Sequence, residues 1–216
     1  LGAIFVPLNT RLAAPELQFQ LQDSGARLMV SSASLEIAAA ASSLDTEITH
    51  RLVVASDDVT EASALRLPSG VEHYGEVLDP ASAAPLDEAV TLDDAAMILY
   101  TSGTTGKPKG ALLTHGNITW NCINTVVDMD LNRNDVALMI SPLFHVASLD
   151  MGLLPMLLKG ATVVLESKFD AGRVLELVGQ HKVTTLNGVP TTFQMLCDHP
   201  GWSTADLTSL DKLTCG

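Results

Sequence analysis

The sequence predicts an α/β chain of mainly parallel sheets with flanking helices, and three observations carry that expectation. Short apolar and β-branched runs alternate with longer stretches of helical periodicity, as in βα units around a parallel sheet. Helix punctuation falls where the alternation requires it: Pro15 suits a first helical turn and Asp170 is a good N-cap. With 216 residues, 47% apolar and 17% charged, the chain can bury a core as one large domain or two smaller ones.

Taken in order, the expected strands are Ile4 to Val6, Arg27 to Ser31, His50 to Val54, Ala95 to Tyr100, Gly110 to Leu113, Val136 to Met139, Thr162 to Leu165 and Thr184 to Leu186. The expected helices are Glu16 to Ser24, Leu35 to Leu44, Asn117 to Met129, Leu149 to Lys159, Ala171 to His181 and Thr191 to His199. Between Ser56 and Asp93 the periodicity weakens into Asp, Ser, Pro and Ala, which reads as a surface excursion. It separates a first α/β subdomain, residues 1–93, from a motif-bearing part, residues 94–216. Leu1 is not a start residue, and Lys212 to Gly216 begins a strand-and-turn pattern and stops, so both ends read as cut from a longer protein.

A net charge of -13 is unsuited to wrapping a phosphate backbone, which needs clustered Lys and Arg, so nucleic acid is not an expected partner. Cys122, Cys197 and Cys215 show no paired spacing, which argues against a zinc site and a disulfide framework and fits a reducing, cytoplasmic location. The most apolar stretch, Met151 to Leu165, is broken by Pro155, Lys159 and Gly160 and falls short of the ~20 residues of a membrane span. No signal peptide opens the chain.

The chemistry concentrates in Tyr100-Thr101-Ser102-Gly103-Thr104-Thr105-Gly106-Lys107-Pro108-Lys109-Gly110, between one expected strand and the next. Glycines let backbone N–H groups approach an anion, hydroxyls donate to phosphate oxygens, and two lysines neutralise charge. A Walker A loop is excluded, because only Thr104 and Thr105 separate Gly103 from Gly106, and Pro108 follows Lys107 where a Ser or Thr would hold Mg²⁺. The dinucleotide fingerprint does not fit either. A flexible Gly/Ser/Thr linker is the bland alternative, but it has no need of lysines on both sides of a rigid proline. Three glycines with few apolar contacts also predict that Ser102 to Lys109 is mobile without nucleotide.

Tyr100 to Gly110, followed by Leu113-Thr114-His115-Gly116-Asn117, resembles the phosphate loop of the adenylate-forming superfamily of acyl-CoA synthetases, luciferases and peptide-synthetase adenylation domains. The resemblance runs over nearly the whole chain, through Gly2 to Asn9, Pro142-Leu143-Phe144-His145, Gly160-Ala161-Thr162 and Thr185 to Pro190. It implies the N-terminal domain of an acyl-adenylate-forming ligase, with ATP, Mg²⁺ and coenzyme A as substrates or metal and a carboxylic acid as the group activated. Thr101, Ser102, Gly103, Thr104, Thr105, Gly106, Lys107, Pro108 and Lys109 would then bind the nucleotide. Phe144, His145, Gly188, Val189 and Pro190 would line the acid pocket, with Lys107 and His145 as the catalytic set and no metal ligand in this stretch.

Several of these residues carry bland readings as well. A lone His is more often packed or surface-lying than catalytic, so His145 is assigned to positioning and gating; His115 is as readily a helix-cap residue as a functional one and is left out of the catalytic set. Gly188, Val189 and Pro190 also satisfy ordinary strand-to-helix turn chemistry. Amino-acid-activating relatives place an Asp in the Phe144-His145 segment; here the nearest carboxylate is Asp150, which favours an apolar acid such as a fatty acid. An aryl or amino acid, or a noncatalytic nucleotide-binding fragment, are the alternatives. Ala147 and Ser148 stand where many relatives have glycine, which bears on pocket depth. A homodimer is compatible with this reading. The adenine-binding turn that Cys215-Gly216 begins, the acidic metal segment, the ribose-binding Asp and the mobile C-terminal domain are expected beyond Gly216, so this stretch alone is expected to be inactive.

Overall fold

The computed structural model describes residues 2–55, 67–86, 88–101 and 106–215. Two compact units divide the chain, Leu1–Val90 with Ala95–Leu112, and Thr91–Asp94 with Leu113–Gly216. This division differs from a cut at 93/94 because the strand following that point joins the N-terminal unit, where Phe5 bridges to Met97 in parallel.

In the first unit, helix α1 (Ala14–Ser24) carries Pro15 in its first turn and ends at Gly25, whose φ of 62° is the left-handed conformation a helix stop favours. Strands β1 (Leu28–Ser32), β2 (His50–Val54) and β3 (Val71–His73) form a parallel sheet in the order β1-β2-β3. A 3₁₀ turn (Ala33–Leu35) leads into α2 (Glu36–Ser42), and Leu21, Met29 and Ala39 are buried together between helix and sheet. Helix α3 (Tyr74–Leu78) follows β3 directly. Strand β4 (Ala95–Thr101) pairs with β5 (Lys109–Thr114) in a separate two-stranded sheet.

The second unit is a three-layer sandwich. Strands β6 (Val136–Met139), β7 (Thr162–Leu165), β8 (Thr185–Gly188) and β9 (Lys212–Cys215) form a parallel sheet in the order β7-β6-β8-β9. Successive side chains of a strand face opposite ways, and β6 uses both directions for burial. Ala137 and Met139 pack with Leu131 and Met156, between the sheet and helices α4 (His115–Asp128) and α6 (Leu154–Lys159). Leu138 and Ile140 pack on the other face with Val174, Leu177 and Val178 of α7 (Ala171–His181) and Leu196 of α8 (Pro190–Cys197). A one-turn α5 (Val146–Ser148) and a π-helical turn (Leu149–Leu153) precede α6.

The structure corrects several expectations. Ile4 to Val6 forms a single bridge rather than a strand, Phe5 N–H donating to Ala96 O at 2.9 Å and Ile98 N–H to Phe5 O at 2.9 Å. The stretch read as an excursion contains β3 and α3; a three-residue strand held by backbone hydrogen bonds leaves too little side-chain pattern to read. Helix α4 starts at His115 because Thr114 caps it, accepting from Asn117 N–H at 3.1 Å while Asn117 Oδ1 accepts from Thr114 N–H at 2.9 Å. The expected cap at Asp170 is present, with Arg173 N–H donating to Oδ1 at 2.8 Å. Strand β8 begins one residue later than expected, at Thr185, although Thr184 N–H still donates to Val136 O at 2.9 Å and Thr184 O accepts from Lys212 N–H at 2.9 Å.

Candidate functional site

The glycine- and lysine-rich loop leaves the end of β4 and returns at the start of β5. Ser102, Gly103, Thr104 and Thr105 lie outside the described residues, and with them half of the segment Ser102 to Lys109 expected to be mobile. Thr101 is the last residue of β4, and its hydroxyl donates to Lys109 O at 3.4 Å across the mouth of the loop. Gly106 has φ 92°, where a side chain would be strained, and among the described residues, its chain neighbours aside, no atom lies within 4 Å of where its Cβ would be. Lys107 and Lys109 are exposed, Pro108 half-buried between them. The Lys107 ammonium lies 5.5 Å from the centre of the Phe19 ring on α1.

The stem of the loop is built tightly. A Cβ on Gly110 would fall 2.8 Å from Ile98 Cγ2, so glycine here lets the Ile98 side chain approach β5, with the Tyr100 ring 3.4 Å from the same point. The Tyr100 hydroxyl lies 2.8 Å from Asp23 Oδ2 and 3.2 Å from Gln20 O. Burial first, then the hydrogen bond to Asp23, pushes its pKa well up, so the phenol stays a donor. Phe19, Gln20 and Asp23 were not among the sequence-derived site residues. The only sequence signal was the four-residue spacing of Phe19 and Asp23, which puts both on one helix face.

In the second unit, Phe144 and His145 follow β6 at its carboxyl end, where open α/β sheets place ligands. Their rings are 4.6 Å apart and tilted by 47°. His145 is exposed and is the N-cap residue of α5, its carbonyl accepting from Ser148 and Leu149 N–H at 3.1 and 3.0 Å. Gly188 ends β8, Val189 caps α8 and Pro190 is the first residue of that helix. A Cβ on Gly188 would lie 3.2 Å from Thr192 and 3.4 Å from Phe193.

Behind this edge runs the π-helical turn, a backbone form that is rare outside functional or strained segments. A Cβ on Gly152 would fall 2.9 Å from Asn187 Nδ2 and 3.3 Å from Met139 Sδ, so glycine lets the turn approach the sheet. Asp150 in the same turn is 3% exposed, and burial pushes its carboxyl above the ordinary range. Its Oδ1 and the Oδ1 of Asn187 are buried without a hydrogen-bond partner among the described residues. Burial, with the Asp150 charge second, also raises the Cys122 thiol, so this buried cysteine is a packing residue and not a nucleophile. His115 and Gly116 N–H donate to Asp94 O and Leu92 O at 3.0 and 2.7 Å, satisfying backbone donors of the first turn of α4.

Among the described residues no helix is long and apolar enough to cross a membrane, and no group of three or more His, Cys, Asp or Glu could hold a metal ion.

The chain is 46% identical over 215 residues to a feruloyl-CoA synthase of Amycolatopsis sp, covering 100% of this chain and 39% of that protein. It is 38% identical over 224 residues to an indoleacetate–CoA ligase of Aromatoleum aromaticum, covering 100% of this chain and 41% of that protein. The inhibitor-bound N-terminal domain of FACL13 from Mycobacterium tuberculosis superposes with a TM-score of 0.81 at 30% identity, over 100% of this chain and 51% of that one. The chain thus spans about two-fifths of the length of these curated relatives. The model of the AMP-binding enzyme family matches residues 1–216, and with the phosphate-type loop on β4 and β5 and the parallel α/β/α second unit, the chain belongs to the AMP-binding enzyme family.

Proposed function

We propose that the full-length protein activates a carboxylic acid as its acyl-adenylate and passes the acyl group to coenzyme A, and that the acid carries an aromatic ring. The observation that carries the reading is the loop between β4 and β5, whose Gly106 backbone and two exposed lysines suit an oligophosphate, within a chain 46% identical to a feruloyl-CoA synthase. In this reading a carboxylate oxygen attacks the α-phosphorus of ATP and pyrophosphate leaves in line. The coenzyme A thiol then attacks the acyl carbonyl, losing its proton, and AMP leaves. Neither step needs a protein nucleophile, so the chain's part is to position and neutralise. Lys107, Lys109 and the loop amides hold phosphate oxygens, and Mg²⁺, arriving with ATP, supplies further neutralisation there. Phe144 and His145 border the acid, His145 orienting it, and Gly188, Val189 and Pro190 form the facing wall. Three free cysteines suit a reducing cytoplasm.

A fatty acid is the second reading, favoured by the apolar Phe144 and Val189 and by the lack of a carboxylate between Phe144 and Ser148. Steady-state AMP formation by the full-length enzyme with ferulate, 4-coumarate, indoleacetate and long-chain fatty acids separates the two. The aromatic reading expects the highest kcat/KM among the aryl acids; a fatty acid at the top replaces it with the second reading. Lys107→Ala should raise KM for ATP, whereas Phe144→Ala should reorder the acids. No AMP formation with any acid would reject the ligase reading.

A further inference from the structure

We propose that one face of α1 is the positioning platform of the phosphate loop, with Phe19 holding Lys107 on the return side and Asp23 and Gln20 holding Tyr100 on the outgoing side. This inference rests on the reading of the loop as the ATP phosphate site. Phe19 and Asp23 are four residues apart in α1 and therefore stack on one face, one turn above the other. Tyr100 and Lys107 sit on the two stems of the loop, so a single rigid helix reaches both. Each contact is explicit: 5.5 Å from the Lys107 ammonium to the Phe19 ring centre, 2.8 Å from the Tyr100 hydroxyl to Asp23 Oδ2, and 3.2 Å to Gln20 O.

The chemistry of the two grips is different, and that difference suits an anion site. A carboxylate under Lys107 would cancel the charge the phosphates need. An aromatic face attracts the ammonium through its quadrupole and leaves the charge uncancelled. Asp23, one turn from Phe19, is the nearby carboxylate of the platform, and the Tyr100 hydroxyl occupies its Oδ2. Phe19 and Tyr100 are thus positioning residues, acting through Lys107 and the loop without touching substrate.

Because the platform acts on phosphate binding in ground and transition states alike, its loss should appear in KM for ATP and leave kcat and KM for the acid unchanged. An exposed cation–π contact corresponds to about a two- to fivefold change in an equilibrium. In the full-length enzyme Phe19→Leu should raise KM for ATP about two- to fivefold, and Phe19→Tyr, which keeps the aromatic face, should restore it. Tyr100→Phe, which deletes one hydroxyl and opens no cavity, should raise KM for ATP in the same direction and carries the test if Phe19→Leu does not fold. In a Lys107→Met background, Phe19→Leu should have no further effect. If Lys107→Met raises KM for ATP while Phe19→Leu and Tyr100→Phe match the wild type, the platform is overturned and the loop reading survives. If Lys107→Met itself leaves ATP use unchanged, the loop reading fails and the platform with it.

Discussion

Lys212 and Asp135, 77 residues apart, form an ion pair of 2.9 Å at the amino ends of β9 and β6, with side chains only 14% and 4% exposed. Thr184, just before β8, donates its hydroxyl to the same Asp135 oxygen at 2.9 Å and accepts from Val136 N–H at 3.0 Å. One carboxylate therefore ties together the starts of β6, β8 and β9. Removing its cation leaves a buried charge without its ionic partner, which typically costs about 3–5 kcal/mol. Lys212→Met should lower unfolding stability by roughly that amount in denaturant titration. A loss under about 1 kcal/mol, the worth of a surface pair, would show that the strand ends do not depend on it.

Acid should dissolve the same knot. Burial alone would raise the Asp135 carboxyl, but the Asn132 N–H, the Lys212 ammonium and the Thr184 hydroxyl together hold it below its ordinary value. A depressed folded pKa means stability that is fully present above the unfolded value, about 3.9, and is lost as pH falls through the folded value. Asp135→Asn should therefore be less stable than the wild type at neutral pH, and the gap should narrow below about pH 4. A gap that stays constant on acidification would contradict this.

Asp150 should behave in the opposite sense. Its burial raises the carboxyl, so its contribution is fully present below the unfolded value, about 3.9, and is lost as pH rises through the folded value. Asp150→Asn removes the ionisation while keeping the shape. Its melting temperature should exceed that of the wild type near pH 7 and converge with it toward pH 4. Parallel melting curves across that range would mean that Asp150 ionises freely in the fold.

Two helical glycines should respond to alanine with opposite signs. A Cβ on Gly116, in the first turn of α4, would sit 2.9 Å from the backbone oxygen of Leu92, which cannot swing aside. Gly116→Ala should destabilise by about 1–3 kcal/mol, the range of an overpacked contact. A Cβ on Gly75, in α3, meets nothing within 4 Å among the described residues, and alanine there should stabilise by about 0.5–1 kcal/mol. Thermal unfolding of the two variants decides it; equal effects would refute the steric account.

What could be read along the chain follows from how local each feature is. Val136 to Met139 was legible as a strand because burial on both faces gives a continuous apolar run. Ala171 to His181 was legible because Asp170 caps it and Val174, Leu175, Leu177 and Val178 mark one buried face. By contrast β3 is three residues held mainly by pairing with β2, and the π turn at Leu149–Leu153 is a shift of backbone register that no side chain announces.

The family was legible in the sequence itself, because its most specific signal, the glycines, hydroxyls and lysines within the eleven consecutive residues Tyr100 to Gly110, is local and is read without distant parts of the chain. Tertiary structure alone decided which side chains meet: Phe19 and Lys107, Asp23 and Tyr100, and Asp135 and Lys212. These contacts join residues far apart in the chain, and a side chain's partner across such a distance is set by how strands and helices pack, not by its neighbours in sequence.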